Sequence, residues 1–164
     1  MTFELREVDD SLRPQCLEIF NEIIAEGETI PWEVPFTQAN FDAYYVPEEP
    51  LWCAVAGNTV LGFVHIKPNG LGRTGHLANC GYSVARAARG KGVGKALVAK
   101  SIEVARAMGY TGIQFNAVVA TNTVAIGLYR SFGFKIIGTV PNSFRFGSPE
   151  DPHYVDRHIM YREL

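Results

Sequence analysis

Arg89-Gly90-Lys91-Gly92-Val93-Gly94-Lys95-Ala96-Leu97 carries the strongest signal in this chain. Its glycines alternate with other residues, and an apolar helical pattern begins at Val93. A glycine-rich turn that opens a helix presents a row of backbone N–H groups at the positive end of the helix dipole. With cations on either side, the stretch reads as a receptacle for a phosphorylated ligand.

Elements can be placed on both sides of this loop by periodicity. Upstream, Phe3 to Val8 alternates as a first strand. Asp10 or Ser11 is positioned to cap a helix with apolar residues at Leu12, Cys16, Phe20, Ile23 and Ile24, which Gly27 ends. Pro14 falls in the first turn, where its missing N–H does least harm. The segment from Glu28 to Pro50 is irregular, with Pro31, Pro35, Pro47 and Pro50 among aromatics, and Thr37 is placed to cap a short helix through Tyr45. Leu51–Ala56 and Thr59–Ile66 are strands joined by Gly57-Asn58, a two-residue hairpin signal. Pro68 to Gly75 is a glycine-rich loop and Leu77–Val84 a fourth strand.

Downstream, Val93, Leu97, Ile102, Ala105 and Met108 line one face of a helix that Gly109 stops. Ile113–Val119 is a fifth strand, Asn122–Phe132 a helix ended by Gly133, and Phe134–Val140 a sixth strand. Asn142–Pro152 reads as a loop and Tyr154–Tyr161 as the last strand. No linker or repeat divides the 164 residues, so one mixed α/β domain, 1–164, is expected.

The composition excludes other classes. At 47% hydrophobic and 20% charged residues the chain is neither disordered nor fibrous. Its net charge of −2 makes no case for nucleic acid, and no apolar run is long enough for a membrane span. Cations cluster locally instead: Arg86, Arg89, Lys91, Lys95, Lys100 and Arg106 surround a single acid, Glu103. Cys16, Cys53 and Cys80 read as buried free thiols of a reducing compartment, not as metal ligands. The charged, alternating N-terminus lacks the pattern of a signal peptide, so a soluble cytoplasmic protein is expected.

Two common phosphate motifs fail letter by letter. A nucleotide P-loop requires Gly-Lys followed by Ser or Thr, but Gly94-Lys95 is followed by Ala96. The dinucleotide pattern G-x-G-x-x-G is not met, because Gly90, Gly92 and Gly94 run G-x-G-x-G. What remains, Tyr82 to Ala96, resembles the acetyl-CoA signature of the GCN5-related N-acetyltransferases (GNAT): glutamine or arginine, two residues, glycine, one residue, then glycine or alanine. Arg89, Gly92 and Gly94 match in register. The resemblance implies the GNAT fold, a seven-stranded mixed central sheet flanked by about four helices. It also implies that the backbone of Gly90, Lys91, Gly92, Val93, Gly94 and Lys95 holds the pyrophosphate of acetyl-CoA, with Lys91 and Lys95 adding charge. Arg86 stands where many relatives carry proline, and it either loosens the strand exit or adds a phosphate contact.

Asn122-Thr123-Val124-Ala125-Ile126-Gly127-Leu128-Tyr129-Arg130-Ser131-Phe132-Gly133-Phe134 independently resembles the family's second motif. Asn122 can cap its helix and offer its amide to a ligand. Tyr129, seven residues on, lies on nearly the same face about 10 Å away. It is the candidate general acid for the departing thiolate, or else an amphipathic residue that packs its ring and wets its hydroxyl. The family further implies that the pantetheine arm runs between splayed fourth and fifth strands, in contact with Tyr82 and Val84.

The acceptor end is less legible. His76 is either a base or a surface histidine, and Glu28 and Glu33 are either site carboxylates or solvated loop charges. Trp32 belongs to the loop that overhangs the acceptor by family analogy. Asn116 interrupts an apolar strand, so it either orients substrate or bonds a neighbouring loop. Asn142, after Pro141, has a weaker claim. The stretches around Asn116 and Glu28 are similar to fungal acetyltransferases that detoxify L-azetidine-2-carboxylate, and the architecture with Tyr154-Val155-Asp156 resembles phosphinothricin acetyltransferases. The implied acceptor is a small amine, an amino acid or its analogue, with no metal involved and a homodimer as the family's frequent assembly. The alternative function is a non-catalytic acyl-CoA sensor on the same fold.

Overall fold

The computed structural model describes residues 2–46 and 48–164. Met1 and Pro47, the latter among the prolines of the irregular segment, lie outside the described residues. The elements run β1 (Glu4–Glu7), α1 (Arg13–Glu26), α2 (Gln38–Tyr44), β2 (Leu51–Ala56), β3 (Thr59–Pro68), β4 (Leu77–Val84), α3 (Val93–Ala107), β5 (Gly112–Val119), α4 (Thr123–Ser131), β6 (Lys135–Phe146) and β7 (His153–Glu163). Short 3-10 turns occupy Gly72–Thr74 and Arg86–Ala88.

The strands form one sheet in the order β1-β2-β3-β4-β5-β7-β6. All neighbours are antiparallel except β4 and β5. That parallel pair needs a long crossover, which α3 supplies. The mixed seven-stranded sheet with four helices agrees with the expected fold.

Helices cover both faces, and β3 shows it best. It is buried at every position from Val60 to Ile66, as a strand covered on both sides must be. Leu61, Val64 and Ile66 pack with Val93, Leu97 and Val98 of α3. Val60 and Phe63 pack on the other side with Cys16, Phe20 and Phe41 of α1 and α2. Cys16, Cys53 and Cys80 are free and buried, as their apolar settings suggest.

Local signals were met unevenly. Thr37 caps α2 by accepting from the Asn40 N–H at 3.2 Å, and Asn122 caps α4 from Ala125 at the same distance. For α1 the expected caps are wrong. Leu12 holds the N-cap position without a side-chain bond, because Asp9 accepts from the Ser11 N–H and its carbonyl from Leu12, turning the chain one step earlier. The sixth strand also does not stop at Val140. β6 continues to Phe146, and the turn-prone Pro141-Asn142-Ser143 is absorbed by a register break between Val140 and Phe144, with Asn142 at φ 50°. The loop is therefore confined to 147–152.

His65 is a buried polar residue that composition and periodicity did not flag. It lies 7% exposed against the rings of Tyr44 and Tyr45, at centroid distances of 6.2 and 5.0 Å. Burial, with some help from Lys67, pushes its imidazole down to about 3, so it is neutral. The ring also fills the place of a side chain over β4: a Cβ at Gly81 would lie 2.4 Å from His65 Cε1. Gly81→Ala should therefore cost about 1–3 kcal/mol by overpacking. His65→Ala in the same background should recover part of that loss. Thermal denaturation of the single and double variants measures both, and an unchanged Tm for Gly81→Ala would discount the contact.

Candidate functional site

The first turn of α3 explains why an anion would settle there. A helix start leaves its leading N–H groups without partners. Among the described residues, the N–H groups of Gly90, Lys91, Gly92, Val93, Gly94 and Lys95 here have no backbone acceptor, and no side chain caps the helix. Gly92 sits at the N-cap with φ 84°, a left-handed conformation that L side chains resist. Val93 is only 1% exposed, so its side chain pins the first turn to the core while the N–H row faces outward.

The cations around this row are arranged differently from the sequence expectation. Arg89 donates to Glu26 Oε2 at 2.8 Å, and to the Val84 carbonyl at 3.3 Å. Arg86 bonds the other Glu26 oxygen at 3.1 Å, while its N–H donates to Glu22 at 3.0 Å. Arg86 therefore ties the strand exit to α1. Lys91 folds back onto the Ala87 carbonyl at 2.6 Å. Lys95 is exposed and, among the described residues, makes neither an ion pair nor a side-chain hydrogen bond. Burial alone would raise the Glu26 carboxyl, but bonds and charge from Arg89 and Arg86 outweigh it and hold the group below its ordinary 4.5.

Below the loop the sheet opens. β4 and β5 pair at Leu77 with Gly112 and at Ala78 with Ile113, and then no further. The facing edges beyond these residues, through Val84 and Val119, are unpaired with each other. Four rings gather on the α3–α4 side of this gap. Tyr82 lies 5.9 Å from Phe115 and 5.7 Å from Tyr129, Phe115 4.6 Å from Tyr129, and Phe134 4.5 Å from Phe115. Tyr82 spends its hydroxyl on Ser101, at 2.7 Å. Tyr129 is half-buried, and burial pushes its phenol well above the ordinary 10, with the neighbouring Cys80 adding to the effect. It therefore keeps its proton at neutral pH. Asn122 starts α4 with its amide oxygen committed to the helix cap.

On the opposite side of the sheet, a cleft of about 630 Å³ separates the end of α1 and its following loop from β6 and β7. Glu28 and Trp32 border it, as does Glu33, which is paired with Arg145. Ser143, Arg145 and Arg157 form the facing wall. Three other candidates lie outside the lining. Asn142 is held by its N–H to Asp156 at 2.9 Å, and His76 is exposed, with Nδ1 3.2 Å from the Arg73 carbonyl. Asn116 is exposed at a register break of β5, where its amide bonds Asn69 at 2.6 Å and accepts from Gln114 at 2.8 Å. The burial cost inferred for Asn116 thus does not arise, and the loop-bonding alternative is the one seen.

Sequence reasoning overlooked Glu26, Arg145 and Arg157. Glu26 did leave a signal: Glu22 and Glu26 stand one turn apart at the end of α1 with no basic residue in its last turn. Carboxylates are disfavoured there and call for a cation from elsewhere. The two β-strand arginines left no such trace.

The chain matches the Acetyltransferase (GNAT) family over residues 17–134, more than half its length. It is 35% identical over 101 residues to N-acetyltransferase aca1 of Schizosaccharomyces pombe, a match covering 62% of this chain and 47% of that protein. The chain thus spans about half the length of that relative. It is 32% identical over 149 residues to the L-methionine sulfoximine/L-methionine sulfone acetyltransferase of Pseudomonas paraeruginosa, across 86% of this chain and 85% of the relative. A GCN5-related N-acetyltransferase from Kribbella flavida superposes with a TM-score of 0.91 at 40% identity, over 99% of this chain and 98% of that one. A phosphinothricin acetyltransferase from Sinorhizobium meliloti, solved in complex with acetyl-CoA, shares the fold at a TM-score of 0.88 and 22% identity, over 100% of this chain and 89% of that one.

The Glu26 clamp makes a signed prediction. Its depressed carboxyl contributes stability above the ordinary 4.5, and that contribution disappears as pH falls through the folded value. Glu26→Gln should cost about 1–3 kcal/mol at pH 7, the range for hydrogen bonds to charged groups. The gap from the parent protein should narrow toward pH 3. Denaturant unfolding at the two pH values reads it, and a pH-independent gap would rule out the ion pair as the source.

Proposed function

This chain belongs to the Acetyltransferase (GNAT) family, and we propose that it is an acetyl-CoA-dependent N-acetyltransferase that acetylates the amine of a free amino acid or amino-acid analogue, with Tyr129 as general acid. The observation that carries this reading is the opened sheet. The gap lies below the N–H row and beside a protonated phenol, and a charged cleft lies on the other face of the sheet. The relative that acts on L-methionine sulfoximine and L-methionine sulfone supports the acceptor class.

The residues present fit acetyl-CoA. Unpartnered N–H groups from Gly90 to Lys95 suit a pyrophosphate, and Lys95 is free to add charge. The unpaired edges of β4 at Tyr82 and Val84, and of β5 beyond Ile113, suit an amide-bearing arm that would otherwise leave those groups unsatisfied. Asn122 still has its amide NH₂ to donate. Bound there, acetyl-CoA supplies an acetyl group on a thioester whose sulfur leaves as a thiolate.

The chain's own groups divide the remaining work. Tyr129, kept protonated by burial, donates a hydrogen bond and then its proton to the leaving sulfur. Glu28 is the carboxylate of the cleft wall without a cation partner among the described residues, and so is the group free to take the amine's proton. Trp32 shields that end, with its ring edge-on to Phe36 at 5.1 Å and to Tyr44 at 5.6 Å.

Release of free thiol from acetyl-CoA, with a panel of amino acids and analogues, tests the function. Acetyl-CoA binding without release across the panel would replace it with an acyl-CoA sensor. Tyr129→Phe should lower kcat by about 100-fold, with little change in acetyl-CoA affinity. A full rate would remove Tyr129 from the chemistry. Gly92→Asp places a negative charge at the N–H row and strains a φ of 84°, so acetyl-CoA affinity should fall at least about 10-fold. Calorimetry on the folded variant measures it, and undiminished affinity would move the phosphates elsewhere.

A further inference from the structure

Arg157 has a position that the transfer of acetyl does not by itself explain. On β7 it pairs with Val119 of β5 and with Val140 of β6. Met160 is fully buried in the α3–α4 core, so Arg157, an odd number of residues away, points to the opposite face, where it lines the cleft. Val119 is also the residue whose carbonyl receives the Asn122 N–H at 2.9 Å. Arg157 therefore stands one strand from the wall of the opened gap.

Its immediate contacts orient it without neutralising it. The Arg157 Nε donates to Ser143 Oγ at 3.1 Å, and Ser143 in turn donates to the Val140 carbonyl at 2.8 Å. The register break between Val140 and Phe144 is what brings Ser143 round to this spot. Among the described residues no carboxylate lies within ion-pair distance of Arg157, although the residue is half-buried. The other charges of the cleft wall are spoken for: Glu26 by Arg86 and Arg89, and Glu33 by Arg145. Glu28 and Arg157 alone are left, one negative and one positive. A half-buried guanidinium with free terminal N–H groups is a fork shaped for a carboxylate.

We propose that Arg157, steadied by Ser143, anchors the carboxylate of the acceptor, so that the enzyme selects free α-amino acids over simple amines. The proposal rests on the N-acetyltransferase reading and adds the group that chooses the substrate. Glu28 and Arg157 then complement the two charges of a zwitterion, and the acceptor's amine is turned toward the opened gap.

The test uses the purified protein, acetyl-CoA and thiol release. The twenty proteinogenic L-amino acids, L-methionine sulfoximine and L-methionine sulfone are assayed against the amines that lack their carboxylate. The best acid should exceed its decarboxylated amine in kcat/KM by about 10- to 100-fold, the worth of a charged hydrogen-bonded contact. Arg157→Gln should abolish that preference through a raised KM for the acid, with kcat, the KM for acetyl-CoA and the rate on the amine kept. Arg157→Lys should restore part of it, since a lysine keeps the charge but loses the fork. Without turnover, the best acid should raise the Tm of the CoA-loaded parent protein but not that of folded Arg157→Gln. Equal use of acid and amine by the parent protein overturns the anchor and leaves the transferase standing. So does an Arg157→Gln protein that loses both substrates equally. No release with either series overturns both.

Discussion

Two residue pairs, Leu77 with Gly112 and Ala78 with Ile113, are the only ladder positions between β4 and β5 among the described residues, and the molecule is organised around what happens after them. A parallel pair that diverges leaves two rows of backbone donors and acceptors facing a gap, at a cost unless something fills it. The strands can afford to part because each has its other edge secured: β4 is paired to β3 over seven positions, from Gly62 with Val84 to Pro68 with Ala78, and β5 is bound to β7 on either side of its register break. Tyr82, Phe115, Tyr129 and Phe134 then cluster on one side of the gap.

The charged groups follow from the same opening. α3 begins where β4 ends, so its unpartnered N–H row is set at the mouth of the gap. Arg86 and Arg89 could have crowded that mouth, but Glu26 draws them aside to α1. Glu26 has only 8% of its side chain exposed, while Arg86 has 70%; the carboxylate is the buried partner of the clamp. Its location also matters, because Glu26 borders the cleft between α1 and β6 and β7. One side chain thus touches the wall of the cleft and fixes the arginines that precede the glycine loop.

Much of this was legible along the chain, for a physical reason. Periods of two and 3.6, Gly57-Asn58, Thr37 and Asn122 act over a few residues, and each produced the element it signals. The glycine-rich start of α3 was legible because Gly90 and Gly92 take left-handed φ values of 73° and 84°, which other residues resist. What escaped detection depends on distant partners. Arg89 meets Glu26 across 63 positions, and Arg145 meets Glu33 across 112. Asn142 misled because Pro141-Asn142-Ser143 has turn chemistry, while the pairing of Phe144 to Phe146 with β7 keeps the strand going. Asn116 misled because the break in β5 turned it outward.

The register breaks of β6 have a consequence away from any ligand. β6 is the outermost strand, with one side of its backbone unmatched and with Ile137 and Val140 exposed, at 57% and 42%. A long, straight edge of that kind invites the same strand of another copy to zip onto it. Interruptions at Ile136/Gly138 and at Val140/Phe144 twist the strand twice within its length, so no extended run of unpaired groups stays in one plane. At the far edge, β1 is only four residues long. Each border of the sheet is therefore a poor template for runaway polymerisation, and the breaks that shape the cleft also help to keep the protein dispersed.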